Sequence, residues 1–114
     1  MVEVIATDEF TDWYRLLDDS AADDIEAGIG LLESHGVALG FPRSSAINGA
    51  SFALRELRVQ SLGRPLRVFY TFDAARQAVL LIGGDKTGIG NSRFYATMIP
   101  AAERIWKEYL DETA

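Results

Sequence analysis

The side chains in this sequence best suited to chemistry are cations and one tyrosine, gathered in its second half: Arg55 and Arg58, Arg64 and Arg67, Lys86, then Arg93 and Tyr95. Guanidinium groups stay charged at any physiological pH and grip phosphate or carboxylate oxygens two at a time. Such a set can therefore hold a polyanion or steady charge that develops on a phosphate. The overall balance argues the other way, since the 114 residues carry a net charge of −6 and a pI near 4.6. That total conceals a division. Residues 1–40 hold ten acids against one base, residues 41–95 hold eight bases against three acids, and the remainder carries −2. An acidic protein can thus present one basic face, and an arginine-rich sheet face solvated only by water would give the same pattern.

Other chemistries find little support. Cysteine is absent and His35 is the only histidine, which excludes thiol nucleophiles, disulfide frameworks and zinc fingers and leaves no His-rich metal site. No metal and no cofactor are expected. Gly83, Gly84, Gly88 and Gly90 suggest a phosphate loop but match neither GxxxxGK[ST] nor GxGxxG. His35 falls in the last turn of a predicted helix, where a helix C-terminus attracts positive charge, and no pattern links it to a catalytic serine. The acids of the first forty residues lack metal-ligand spacing and read as solvated helix faces.

The elements that must position the cations follow from periodicity. Val2 to Ala6 reads as a short strand, and Thr7 caps a helix whose Phe10, Trp13, Tyr14 and Leu17 share one face. Ser20 and Asp23 resemble a capping box opening a second helix, with Ala22, Ile25, Ile29 and Leu32 inward and Gly36 as its stop. The two make a helical hairpin. After Gly36 the period becomes extended, with turns at Asn48-Gly49, Ser61-Leu62-Gly63 and Asp73–Arg76 leaving room for three or four strands. In Leu66–Phe72, alternation sets Leu66, Val68, Tyr70 and Phe72 on one face and Arg67, Phe69 and Thr71 on the other, so that Arg67 is expected opposite the single core. Val79–Ile82 is apolar on both faces, as in a central strand. Asn91 to Leu110 has helical spacing, with Pro100 expected to kink or restart it. The order gives a single α+β domain over residues 1–114: N-terminal strand, helical hairpin, mainly antiparallel sheet, C-terminal helix. No apolar run reaches about eighteen residues, and the first residues lack the features of a signal peptide, so a cytoplasmic protein without membrane association is expected.

Taken in order, Leu54-Arg55-Glu56-Leu57-Arg58, Gly63-Arg64-Pro65-Leu66-Arg67-Val68-Phe69-Tyr70, Gly83-Gly84-Asp85-Lys86-Thr87-Gly88, Arg93-Phe94-Tyr95 and Ile99-Pro100 resemble the phage Gp49-like branch of the RelE/HigB toxins. The resemblance covers Phe10 to Leu110. It implies a RelE-like fold and a type II toxin that cleaves mRNA in the ribosomal A site and is held inactive by a cognate antitoxin, here of the helix-turn-helix type. Its partners would be that antitoxin, the ribosome and mRNA. Arg67, Lys86 and Tyr95 match the catalytic positions, and Arg55, Arg58, Arg64 and Arg93 are the RNA-binding candidates.

The chemistry asks for three services. When a 2′-hydroxyl attacks the adjacent phosphate, developing charge must be stabilised, the hydroxyl deprotonated and the 5′-oxygen protonated. Arg67 suits the first. Lys86 could be the acid, and the base is open among Tyr95, if cations depress its pKa, Glu56 and Asp85. Two other readings compete: a ParE-like toxin that inhibits gyrase without cleavage, and a catalytically inactive relic that only binds an antitoxin.

Overall fold

The computed structural model describes all 114 residues. Val4–Ala6 forms β1, and Thr7 ends it by capping α1 (Asp8–Arg15). The Thr7 hydroxyl accepts from Phe10 N and donates to the carbonyls of Leu80 and Leu81, so the cap also fastens the helix to the sheet. The second helix, α2 (Asp19–His35), begins two residues earlier than the Ser20–Asp23 pattern indicates, because the Asp18 carboxylate accepts from Ala21 N at 2.8 Å. Its buried stripe is accordingly Ala21, Ile25, Gly28 and Leu32, with Ala22 and Ile29 at its margin. Gly36, at φ 55°, ends α2 as expected. His35 bonds the Leu31 carbonyl through Nδ1, a local structural contact.

A turn over Gly36–Ala38 leads to β2 (Ser44–Ala46), β3 (Arg55–Ser61), β4 (Arg64–Phe72) and β5 (Ala78–Asp85), and α3 (Asn91–Thr113) closes the chain. The sheet order is β1-β5-β4-β3-β2, with β1 parallel to β5 and every other pair antiparallel. Leu62 and Gly63 both take positive φ, the two-residue turn whose twist suits the β3–β4 hairpin. The α+β order read from the sequence is the fold. Pro100 lies inside α3, which runs through it without restarting. No helix is long and apolar enough to cross a membrane.

Two cores sandwich the sheet. On one face α1 and α2 pack Phe10, Ile25 and Leu32 against Leu57, Leu66, Val68, Tyr70 and Leu80. On the other, α3 packs Phe94, Met98, Ala102 and Ile105 against Leu54, Phe69, Val79 and Leu81. Alternation along β4 is as the sequence predicts, but the second face is not open to solvent. Arg67 is therefore only 5% exposed, because α3 covers the face that alternation assigns to it.

Candidate functional site

The site is built where β3, β4 and the end of β5 lie side by side under the start of α3. Arg58 stands opposite Arg67 across the β3–β4 ladder, and Glu56 opposite Phe69. Even spacing keeps Glu56 and Arg58 on one face of β3, and register brings Arg67 to the same face. Two like charges directly opposed would repel. Glu56 resolves this: its Oε2 accepts from Arg58 Nη1 at 3.2 Å and Ser45 Oγ at 2.8 Å, and its Oε1 accepts from the Tyr95 hydroxyl at 2.6 Å. Arg67 Nε is 3.5 Å from Oε1, near enough to attract but outside hydrogen-bond geometry. Arg67 Nη1 donates to the Leu66 carbonyl. One carboxylate, 3% exposed, thus holds two guanidinium groups and a phenol together.

The last two members arrive from the sheet end and from α3. Lys86 follows β5, its N–H held by the Pro65 carbonyl, and its Nζ lies 5.5 Å from the Tyr95 ring centroid. Tyr95 is fixed edge-on against Phe69 and Phe94. Burial and then the Arg67 charge lower the Lys86 pKa, with Glu56 opposing, so its ammonium gives up a proton more readily than a solvated one. Burial, then the hydrogen bond to Glu56, raises the Tyr95 pKa, with Arg67 pulling more weakly the other way. Tyr95 is therefore a neutral phenol at physiological pH. The depression that a phenolate base requires does not occur.

Of the residues singled out in the sequence, Arg67, Lys86, Tyr95 and Arg58 converge, and Arg93 is exposed in the first turn of α3, two residues before Tyr95. Arg55 and Arg64 are elsewhere. Each lies three residues from a site arginine in its strand and so faces the helical hairpin. Arg55 Nε donates to Ser44 Oγ at 3.1 Å and reaches the Tyr70 hydroxyl at 3.4 Å. Arg64 makes a two-pronged pair with Asp18 at 2.8 and 3.1 Å and donates to the Ser61 carbonyl. Asp85 is engaged locally, accepting from Thr87 N and Oγ1. Glu56, one of three open choices for the base, is the hub.

The glycines before Lys86 have a packing role. A Cβ on Gly83 would lie 2.2 Å from the Trp13 ring and one on Gly84 3.0 Å from Phe94, so β5 needs both glycines to let an aromatic from each helix layer reach its backbone.

A sandwiched α+β fold with an arginine–carboxylate–tyrosine cluster under its last helix defines the class. The chain belongs to the phage-derived Gp49-like protein family, whose profile matches residues 12–107. It is 36% identical over 108 residues to a Mycobacterium tuberculosis protein named "Putative toxin HigB3", covering 94% of this chain and 92% of that one. It is also 36% identical over 100 residues to "Putative toxin HigB2" of the same organism, covering 86% of this chain and 49% of that one. The kinship with HigB-like toxins of toxin–antitoxin systems, read from the ordered motifs, stands.

Proposed function

We propose that the protein is the toxin of a type II toxin–antitoxin pair and a metal-independent endoribonuclease that cleaves mRNA on the ribosome. The observation that carries this reading is Arg67: a guanidinium buried under α3, its Nε without a hydrogen-bond acceptor, beside a carboxylate already bonded to a phenol. Leaving a charged donor unsatisfied is costly unless a ligand completes it. A phosphate oxygen does so, and more fully as negative charge grows on it.

The remaining groups supply the proton transfers. Glu56 is too buried for easy direct approach, whereas Tyr95 is half-buried and donates to it. As the 2′-oxygen bonds to phosphorus, its proton passes to the Tyr95 oxygen and the phenolic proton passes to Glu56. The P–O5′ bond breaks, and the Lys86 ammonium, an acid strengthened by burial and by Arg67, protonates the departing oxygen. The products are a 2′,3′-cyclic phosphate and a 5′-hydroxyl. Arg58 and Arg67 neutralise the phosphorane between these steps.

The test is single-turnover cleavage of mRNA on programmed ribosomes by the wild type and Glu56→Gln, with the product ends identified. Glu56→Gln keeps the size of the side chain and one of its two acceptor oxygens while removing its basicity, and the rate is expected to fall about 10²-fold or more. Products ending in a 3′-hydroxyl, loss of cleavage in chelator, or a rate untouched by the substitution overturn the mechanism. Inhibition of gyrase without RNA cleavage would transfer the protein to the ParE-like reading.

A further inference from the structure

The cluster continues past the edge of the sheet. The turn before β2 lies beside it, and the Arg43 carbonyl accepts from Arg58 N at 2.8 Å. This brings Phe41 over the Arg58 guanidinium, with Cζ 5.4 Å from the ring centroid. Phe41 is 77% exposed. Isolated apolar side chains at a surface are ordinary. Phe41 differs from the other large hydrophobics that the fold leaves in water in two ways: it alone is aromatic, and it lies on a guanidinium that is itself bonded to Glu56.

Building on the ribonuclease reading, we infer that Phe41 and Arg58 form a stacking platform for a nucleobase next to the scissile phosphate. An aromatic ring and a guanidinium plane are the two surfaces on which single-stranded bases stack, and stacking tolerates any base because every base has a π-face. Arg58 then serves two ends. Its Nη1 holds Glu56, and its plane carries Phe41, so a base settling on the platform is placed in register with the proton-transfer groups. The platform is a positioning device. It touches the nucleotide beside the reacting atoms and leaves their chemistry to Arg67, Tyr95, Glu56 and Lys86.

The experiment measures affinity for a short, single-stranded, 2′-O-methylated RNA, which cannot be cleaved, by fluorescence anisotropy with wild type, Phe41→Ala and Phe41→Trp. Phe41→Ala is expected to weaken binding about tenfold, a typical loss for one stacked base, and Phe41→Trp to retain it. Replacing one base at a time by an abasic nucleotide should locate a position where the wild type loses the same factor and Phe41→Ala loses almost nothing. The exposed turn residue Leu62, changed to Ala, should alter neither. Equal affinity of wild type and Phe41→Ala, a failure of the wild type to bind, or additive losses at every abasic position overturns the platform. So does a Phe41→Ala protein that keeps its RNA affinity and loses its antitoxin, which would assign Phe41 to a protein contact. Because the RNA is uncleavable, binding with the Phe41 signature but no cleavage of ordinary mRNA on ribosomes would sink the ribonuclease reading and leave the platform standing. The reverse result would do the opposite.

Discussion

On the hairpin face of the sheet, each arginine has what it needs: Arg64 is gripped by Asp18 and the Ser61 carbonyl, and Arg55 rests on Ser44 and Tyr70. On the α3 face, Arg58 and Arg67 share one carboxylate, Lys86 lies beside the Tyr95 ring without a carboxylate of its own, and Arg67 Nε has no hydrogen bond at all. Arginines alone do not distinguish the two sides, since β3 and β4 each contribute one to each. What differs is the balance of donors to acceptors. Where a carboxylate answers the charge, as Asp18 answers Arg64, arginine staples a helix cap to a strand. Where a buried guanidinium nitrogen lacks an acceptor, as Arg67 Nε does, the proposed function supplies an anion from outside.

The contrast breaks most readily at Arg67. Arg67→Ala should slow cleavage by about 10² to 10³-fold, the loss typical of one positioned donor to a developing oxyanion. It should also destabilise the fold, because a buried ion pair loses a partner. The cost should be near the lower end of about 3 to 5 kcal/mol, because Glu56 keeps Ser45, Arg58 and Tyr95 as donors; urea unfolding measures it. Next comes Lys86. Its lowered pKa places the alkaline fall in cleavage rate below the pH at which an ordinary lysine deprotonates. Lys86→Arg should remove that fall from the pH–rate profile, since arginine does not titrate there, and depress the plateau about 10²-fold for want of a transferable proton.

Tyr95→Phe keeps the edge-on packing with Phe69 and Phe94 and deletes the proton relay. A rate loss approaching 10²-fold with less than about 1.5 kcal/mol of stability lost is expected. The double variant Arg55→Ala/Arg64→Ala should cleave within about twofold of wild type, as befits surface contacts remote from chemistry; a loss as large as that of Arg67→Ala would erase the distinction between the faces.

The smallest effect concerns the hairpin itself. Tyr14 donates to Glu26 at 2.7 Å, and that bond holds its pKa up at about 12 against an ordinary 10.0. The folded state favours the phenol, so this contribution is fully present below pH 10 and disappears as pH rises from 10 toward 12. Melting temperatures across that range should fall less steeply for Tyr14→Phe, with cleavage at neutral pH unchanged.

The sequence shows its elements well and its neighbourhoods poorly. Thr7, Gly36, the Leu62–Gly63 turn and the apolar run of β5 are local signals, each sufficient for its own element. The start of α2 was masked because Asp18, Ser20 and Asp23 all offer capping side chains, and only the helical hairpin's packing selects Asp18. Which face of β4 holds Arg67 was legible from alternation. That α3 would bury that face was not, because it depends on the last helix crossing a sheet assembled from distant segments. The same arithmetic of alternation places Arg55 and Arg58, or Arg64 and Arg67, on opposite faces, since each pair is three residues apart. Treating them as one RNA-binding group ignores that parity. Glu56 shares a face with Arg58 by the even spacing that excludes Arg55, but its bond to Tyr95, 39 residues later, leaves no trace in sequence.

That distance shapes what happens while the chain is being made. A ribosome releases β1 first, yet its only strand partner is β5, and Thr7 waits for carbonyls 73 and 74 residues downstream. Glu56, Arg58, Arg67 and Lys86 emerge before the tyrosine they require, and the cover for Phe69, Val79 and Leu81 comes only with α3. On the ribonuclease reading proposed above, this order of assembly would be a safeguard in time: the nascent chain would stay harmless to the machine producing it until the last helix had docked. An antitoxin would then have work to do only in the interval after that docking.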